Sequence, residues 1–123
     1  AFHADGSFAR NWLIQAGGTQ EPGTEAAARA GRTLVKMLDR YPNLWAELAI
    51  RTDMTSGGKL DPAWRALFLR HSDRIMVGTD TWVTSRWDAL PGYLEEMRVW
   101  LRQLPREVAE KIAFRNAERL FGP

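Results

Sequence analysis

A chain of 123 residues, 45% hydrophobic and 26% charged, has room for one domain with a buried core and is too apolar to be disordered. Its net charge of +2 is mixed along the chain without a Lys/Arg run, which disfavours nucleic-acid binding. Zero cysteines exclude disulfides and thiolate metal sites and fit a cytoplasmic location, and no stretch approaches the roughly 18–20 apolar residues of a membrane span. The first residues show neither the basic start nor the apolar middle of a secretory signal. With no initiator Met and Phe2-His3-Ala4-Asp5 arriving at once, the chain reads as one that begins within a fold.

Trp12 to Ala16, followed by Gly17-Gly18, predicts a buried strand and a glycine-permitted turn. Thr24 then caps a helix to about Arg40, with Ala27, Ala30, Leu34, Val35 and Leu38 at helical spacing and Gly31 as a weak point or a close contact. Tyr41-Pro42-Asn43 stops it. Leu44 to Ile50 predicts a second strand, with Arg51, Thr52 and Asp53 at its carboxyl end and Ser56-Gly57-Gly58 as a flexible loop.

Asp61-Pro62 is a strong helix start, a side-chain acceptor followed by a proline at the first helical position. Trp64, Leu67 and Phe68 face inward from that helix, and His71-Ser72-Asp73 ends it. Ile75 to Val77 is too short an apolar run for a helix and fits a third buried strand, leading into Gly78-Thr79-Asp80-Thr81. Beyond a polar connection, Asp88 caps a long helix to about Leu104 whose apolar residues recur at three- and four-residue spacing. Pro105 restarts the chain into a last helix, with Gly122-Pro123 as its stop. Strands alternating with helices argue an α/β fold with a parallel sheet and right-handed crossovers.

In such a fold ligands bind at the carboxyl ends of the strands, where Asp80 stands. A strand followed by Gly-Thr-Asp is also a common structural turn, the Asp capping the next segment. Arg51 could clamp a substrate carboxylate or pair with Asp53 or Glu47. Trp82 and Trp87 could wall a pocket, though aromatics this large are more often core. For His71, at a helix end, a cation–dipole contact is the simplest role.

Four stretches carry a family likeness: Tyr41 to Leu48, Asp73 to Thr81, Trp100 to Pro105 and Asn116 to Gly122. Together with Trp12 to Gly18 they span most of the chain. The combination resembles the carboxyl-terminal half of the amidohydrolase-related (amidohydrolase family 2) metal-dependent hydrolases. That resemblance implies a partial (β/α)₈ TIM barrel over residues 1–123, about strands six to eight with their helices, preceded by a remnant of strand five. A whole barrel needs about 250 residues.

The resemblance further implies one divalent metal ion, zinc by family habit, with Asp80 as the strand-eight metal ligand and general base and His3 as the strand-five ligand. Thr79 and Thr81 would orient Asp80. Gln15 stands where the family usually has a strand-six histidine, and an amide is a poor zinc ligand. The strand-one His-x-His pair has no counterpart, and only twelve positions separate His3 from Gln15, too few for a strand-to-strand crossover helix. The implied activity is hydrolysis of a small amide, ester or lactone-like substrate, little of it in this chain alone. A non-catalytic remnant or small-ligand-binding module, and a decarboxylase of the same family, are the alternatives. A homo-oligomer or a missing amino-terminal half would complete the barrel, with neither nucleic acid nor membrane as partner.

Overall fold

Residues 12–16, 20–49 and 51–122 are described by a computed structural model. In chain order the elements are β1 (Trp12–Gln15), α1 (Glu25–Arg40), β2 (Leu44–Glu47), β3 (Thr55–Ser56), β4 (Lys59–Leu60), α2 (Pro62–Arg70), β5 (Ile75–Met76) and α3 (Thr84–Leu101). A last helical run joins α4 (Arg106–Glu110), a π-helical turn (Lys111–Arg115) and α5 (Asn116–Phe121). The main sheet has the order β1-β2-β5 and is parallel throughout, so the α/β expectation holds.

The local signals in the sequence act as anticipated. The Thr24 hydroxyl accepts the Ala27 N–H, and the Asp61 carboxylate accepts that of Ala63, so α1 and α2 begin on side-chain caps. Gly31 is a close contact, since a Cβ there would lie 3.3 Å from the Trp64 indole. That indole also donates to the Ala27 carbonyl at 2.9 Å, which locks α1 to α2. Phe68 stacks on Trp100 with centroids 5.0 Å apart and so ties α2 to α3. Alternation along β2 divides the sheet's two faces. Leu44 and Ala46 join the main core with Leu38, Trp64 and Phe68, whereas Trp45 packs with Met76 and Leu120.

Several elements differ from expectation. β2 ends at Glu47 rather than Ile50, because the Tyr93 hydroxyl takes over the backbone beyond it, donating to Ala49 O and accepting from Arg51 N, both at 2.8 Å. Ser56-Gly57-Gly58 is not a flexible loop but the turn of an antiparallel hairpin, β3 with β4, in which both glycines take positive φ. Gln103 pins this hairpin, accepting from Leu60 N and donating to Gly58 O, each at 2.8 Å.

Asp88 lies inside α3 rather than capping it. The helix begins one turn earlier behind Val83, which offers no side-chain cap, and it carries Pro91 in its interior. It also stops at Leu101, short of Leu104. His71 does cap α2, its backbone N–H donating to Leu67 O at 2.9 Å. Its Nδ1 accepts from Arg74 Nη2 at 3.2 Å, so the hydrogen sits on Nε2, 2.7 Å from the Asp39 carboxylate.

The C-terminal run closes one edge of the sheet. Val77 N donates to Ile112 O at 3.2 Å, and Asn116 Nδ2 donates to Ile75 O at 2.7 Å and Ser72 O at 2.6 Å. Those backbone groups point away from β2, so the outer side of β5 is satisfied by a helix instead of a strand. Among the described residues, no helix is long and apolar enough to cross a membrane.

Candidate functional site

The carboxyl ends of the three parallel strands lie on one side of the sheet, with Gln15, Glu47 and Met76 in register there. Glu47 is the last residue of the central strand. Its Oε1 is buried without a hydrogen-bond partner. The carboxyl is seated over Gly78, where a Cβ would stand 1.4 Å from that oxygen, so only glycine leaves the niche open. Burial raises the Glu47 carboxyl above its ordinary value, and the nearby Asp80 charge adds to the shift.

Asp80 follows in the loop between β5 and α3. It is the non-glycine residue with positive φ among the described residues, at +47°, a conformation that Asp tolerates better than most side chains. Arg86, in the first turn of α3, grips it twice. Nη1 donates to Asp80 Oδ2 at 2.9 Å and to the Asp80 carbonyl at 3.3 Å. The Thr81 hydroxyl donates to the Thr79 carbonyl at 3.4 Å, a bond that closes the loop around Asp80 and leaves its carboxylate untouched.

Arg51 lies in the loop after β2 and is buried. Nε and Nη2 donate to the two Asp53 carboxylate oxygens at 2.9 and 2.6 Å, and Nη1 donates to Ala16 O at 3.1 Å. The guanidinium also lies 4.5 Å from the Trp64 ring centroid, so it knits β1, the loop and α2 together. Of the two roles open to Arg51, the ion pair with Asp53 is the one the geometry contains.

A cavity of about 350 Å³ opens between these loops and α3. Thr52, Thr79, Thr81, Ser85 and Arg86 supply its polar wall, and Leu90 with Tyr93 part of its apolar one. Burial raises the Tyr93 phenol, the Arg51 amide that it accepts works against this, and the Glu47 and Glu96 charges add to the rise. Trp82 and Trp87, 73% and 59% exposed, neither line this cavity nor join the core. Their position is a correction to the core expectation: both sit on the loop and first turn that surround Arg86, outside the packed layers.

A structural or catalytic zinc takes three or four protein ligands. Among the described residues no three His, Cys, Asp or Glu side chains lie close enough to hold an ion, and Asp80 is committed to Arg86. These residues alone therefore do not fit the metal. His3 lies outside the described residues, as does the Gln15 side chain.

The geometry thus sets Thr79 and Thr81 on one cavity, with Asp80 between them in the chain and bonded to the cavity's Arg86, and sets Arg51 apart in a buried pair. Glu47, Arg86 and Tyr93 are site residues that sequence reasoning passed over. A charged residue ending the apolar run Leu44-Trp45-Ala46 was a usable signal for Glu47.

The family model for amidohydrolases matches residues 15–122, nearly the whole chain. No curated protein and no solved structure gives a significant match. Members of this family commonly bind metal ions, and their function is of the hydrolase type. On that match, resting on the same strands and loops that gather Glu47, Asp80 and Arg86, the chain belongs to the amidohydrolase family.

Proposed function

We propose that the chain provides strands six to eight of an amidohydrolase barrel and the base of a hydrolytic site. The substrate is a small amide, ester or lactone-like molecule attacked by water, and Asp80 takes the proton that water gives up. One observation carries this reading. Asp80 stands just beyond the third parallel strand, between two threonines that line a cavity of about 350 Å³, a volume that suits a small ligand. One divalent ion, zinc by family likeness, belongs to the same reading. Asp80 and His3 are the ligands this chain would offer, and the remainder must come from the other strands of a barrel.

Those strands would come from an amino-terminal half or from a second copy of the chain. Closing a ring also requires the outer side of β5, where Ile75 O and Val77 N are bonded to Asn116 and Ile112. The closed-edge form and the closed ring exclude one another. This supports the second reading, a small-ligand-binding module that keeps the fold without the chemistry. A decarboxylase of the same family would use the same carboxylate and stands as the variant within the first reading. The cytoplasmic location goes with either.

Zinc uptake by equilibrium dialysis, run beside hydrolysis of p-nitrophenyl acetate, an anilide and a γ-lactone, tests the proposal. The chain is expected to take up zinc weakly, to lose that uptake in Asp80→Ala, and to turn over barely above background. Equal and negligible uptake in both proteins would leave the binding module standing. Vigorous turnover by this chain alone would overturn the idea that its site is incomplete.

A further inference from the structure

Among the described residues, the cation that faces the cavity is Arg86, not Arg51. Arg51 is buried, with both Asp53 carboxylate oxygens against its Nε and Nη2. Arg86 lines the cavity together with the side chains of Thr79, Thr81 and Ser85, and its own carboxylate partner, Asp80, is the residue assigned as base. The two side chains of that pair are each 37% exposed, and an ion pair so open to water is weak.

We propose that Arg86 anchors the carboxylate of a small monocarboxylate substrate, and that docking there displaces the Asp80 carboxylate and so frees the base. This rests on the hydrolase reading for its consequence, though not for the binding itself. A guanidinium presents a planar fork that matches a carboxylate through two parallel bonds, whereas the Asp80 carboxylate is held through Nη1. The neighbouring hydroxyls can donate to the same anion.

The bond from Nη1 to the Asp80 backbone carbonyl keeps Arg86 registered to the loop when the carboxylate leaves. A free Asp80 carboxylate would then face Glu47, whose buried Oε1 has no partner, on the side of the strand ends. Specificity follows from the rest of the wall. Ala89, Leu90 and Tyr93 suit an apolar body. Glu96 lies ten residues along α3 from Arg86, about 15 Å at 1.5 Å per residue, and repels a second negative charge at the far end.

Benzoate and its neutral isostere benzamide are the probes, titrated calorimetrically at fixed ionic strength into the wild-type chain, Arg86→Gln, Arg86→Lys and Asp80→Asn. Asn keeps the positive φ accessible, so the loop is preserved. Benzoate is expected to bind the wild type at least tenfold more tightly than benzamide. Arg86→Gln removes that preference, Arg86→Lys retains only part of it, and Asp80→Asn tightens benzoate at least threefold by vacating the guanidinium. Equal binding of the two probes, no benzoate binding, or an Arg86→Gln protein with the preference intact overturns the proposal. Weaker benzoate binding in Asp80→Asn overturns the displacement step. Zinc uptake that Asp80→Ala abolishes, without benzoate binding, sinks this inference alone, and benzoate binding with equal and negligible zinc uptake in wild type and Asp80→Ala sinks the catalytic reading alone.

Discussion

The Glu47 carboxyl occupies the space that a side chain on Gly78 would fill, with a Cβ there 1.4 Å from Oε1 and 2.3 Å from Cδ. The displaced atoms are the far end of a flexible chain, and Oε1 loses no hydrogen bond by moving. Gly78→Ala should therefore fold, within about 1 kcal/mol of the wild type. It should push the carboxyl out to water, where the burial that raises its titration point is gone. Carbon-13 NMR of the Glu47 carboxyl against pH will show the midpoint falling in Gly78→Ala. An unchanged midpoint would mean that the niche does not set it.

The same burial makes a stability statement. Glu47's folded-state value is raised, so the folded chain holds the proton more tightly than the unfolded one, whose value is about 4.3. Its contribution is full below that unfolded value and is lost as pH rises through the higher folded value. Asp39, Asp73 and Glu110 are lowered by their Arg70, Lys111 and Arg106 partners and act in the opposite sense, but they do so equally in a Glu47→Gln variant. In urea unfolding from pH 4 to 8, the wild type should lose stability relative to Glu47→Gln as pH rises above the unfolded value, levelling off once the higher folded value is passed. A constant difference at every pH would refute the assignment.

Arg51 and Asp53 predict a different signature, because the pair is buried with Asp53 fully inaccessible. Asp53→Ala takes the carboxylate away from the buried Arg51 guanidinium and removes the acceptor of Gln20 N, a loss of about 3–5 kcal/mol. Replacing both members by apolar residues, as in Arg51→Met with Asp53→Leu, leaves no orphaned charge and should cost less than Asp53→Ala alone. Chemical denaturation of the single and double variants decides it. A double variant worse than the single would show that the pair itself, not the avoidance of a lone charge, holds the loop.

What was legible in the sequence follows the range of the interactions. Thr24 and Asp61 announced their helices because a cap needs only the next three residues. Asp88 failed by the same rule: a good cap residue with Pro91 three positions on looks like a helix start, but α3 is anchored a turn earlier by contacts around Val83 and Arg86. The β3–β4 hairpin hid because its strands are two residues each and carry no alternation, leaving Gly57-Gly58 to look like loop. The fold class was readable from alternation and the family from its motifs. Glu47 over Gly78, Tyr93 bridging Ala49 and Arg51, and the burial of Arg51 itself join positions distant in sequence, and no local pattern encodes them. Trp82 and Trp87 went the other way, large aromatics held at the surface by a loop whose geometry Asp80 sets.

Asn116 gives the motif Asn-Ala-Glu-Arg-Leu-Phe a physical task. Its amide, almost wholly buried, donates to Ile75 O and Ser72 O and so stands in for a neighbouring strand along β5. Asn116→Ala strips both carbonyls of a donor and should cost about 1–3 kcal/mol. Asn116→Asp presents oxygens to those carbonyls and should be worse, increasingly so as pH rises and the carboxyl ionises, since a buried charge without donors is the costlier state. The uncovered edge is also a template for pairing with another chain. Sedimentation velocity of Asn116→Ala at rising concentration should therefore show more self-association than the wild type, and thermal unfolding should show the loss of stability. A destabilised variant that associates no more than the wild type would mean that Asn116 holds the fold together but does not guard the edge.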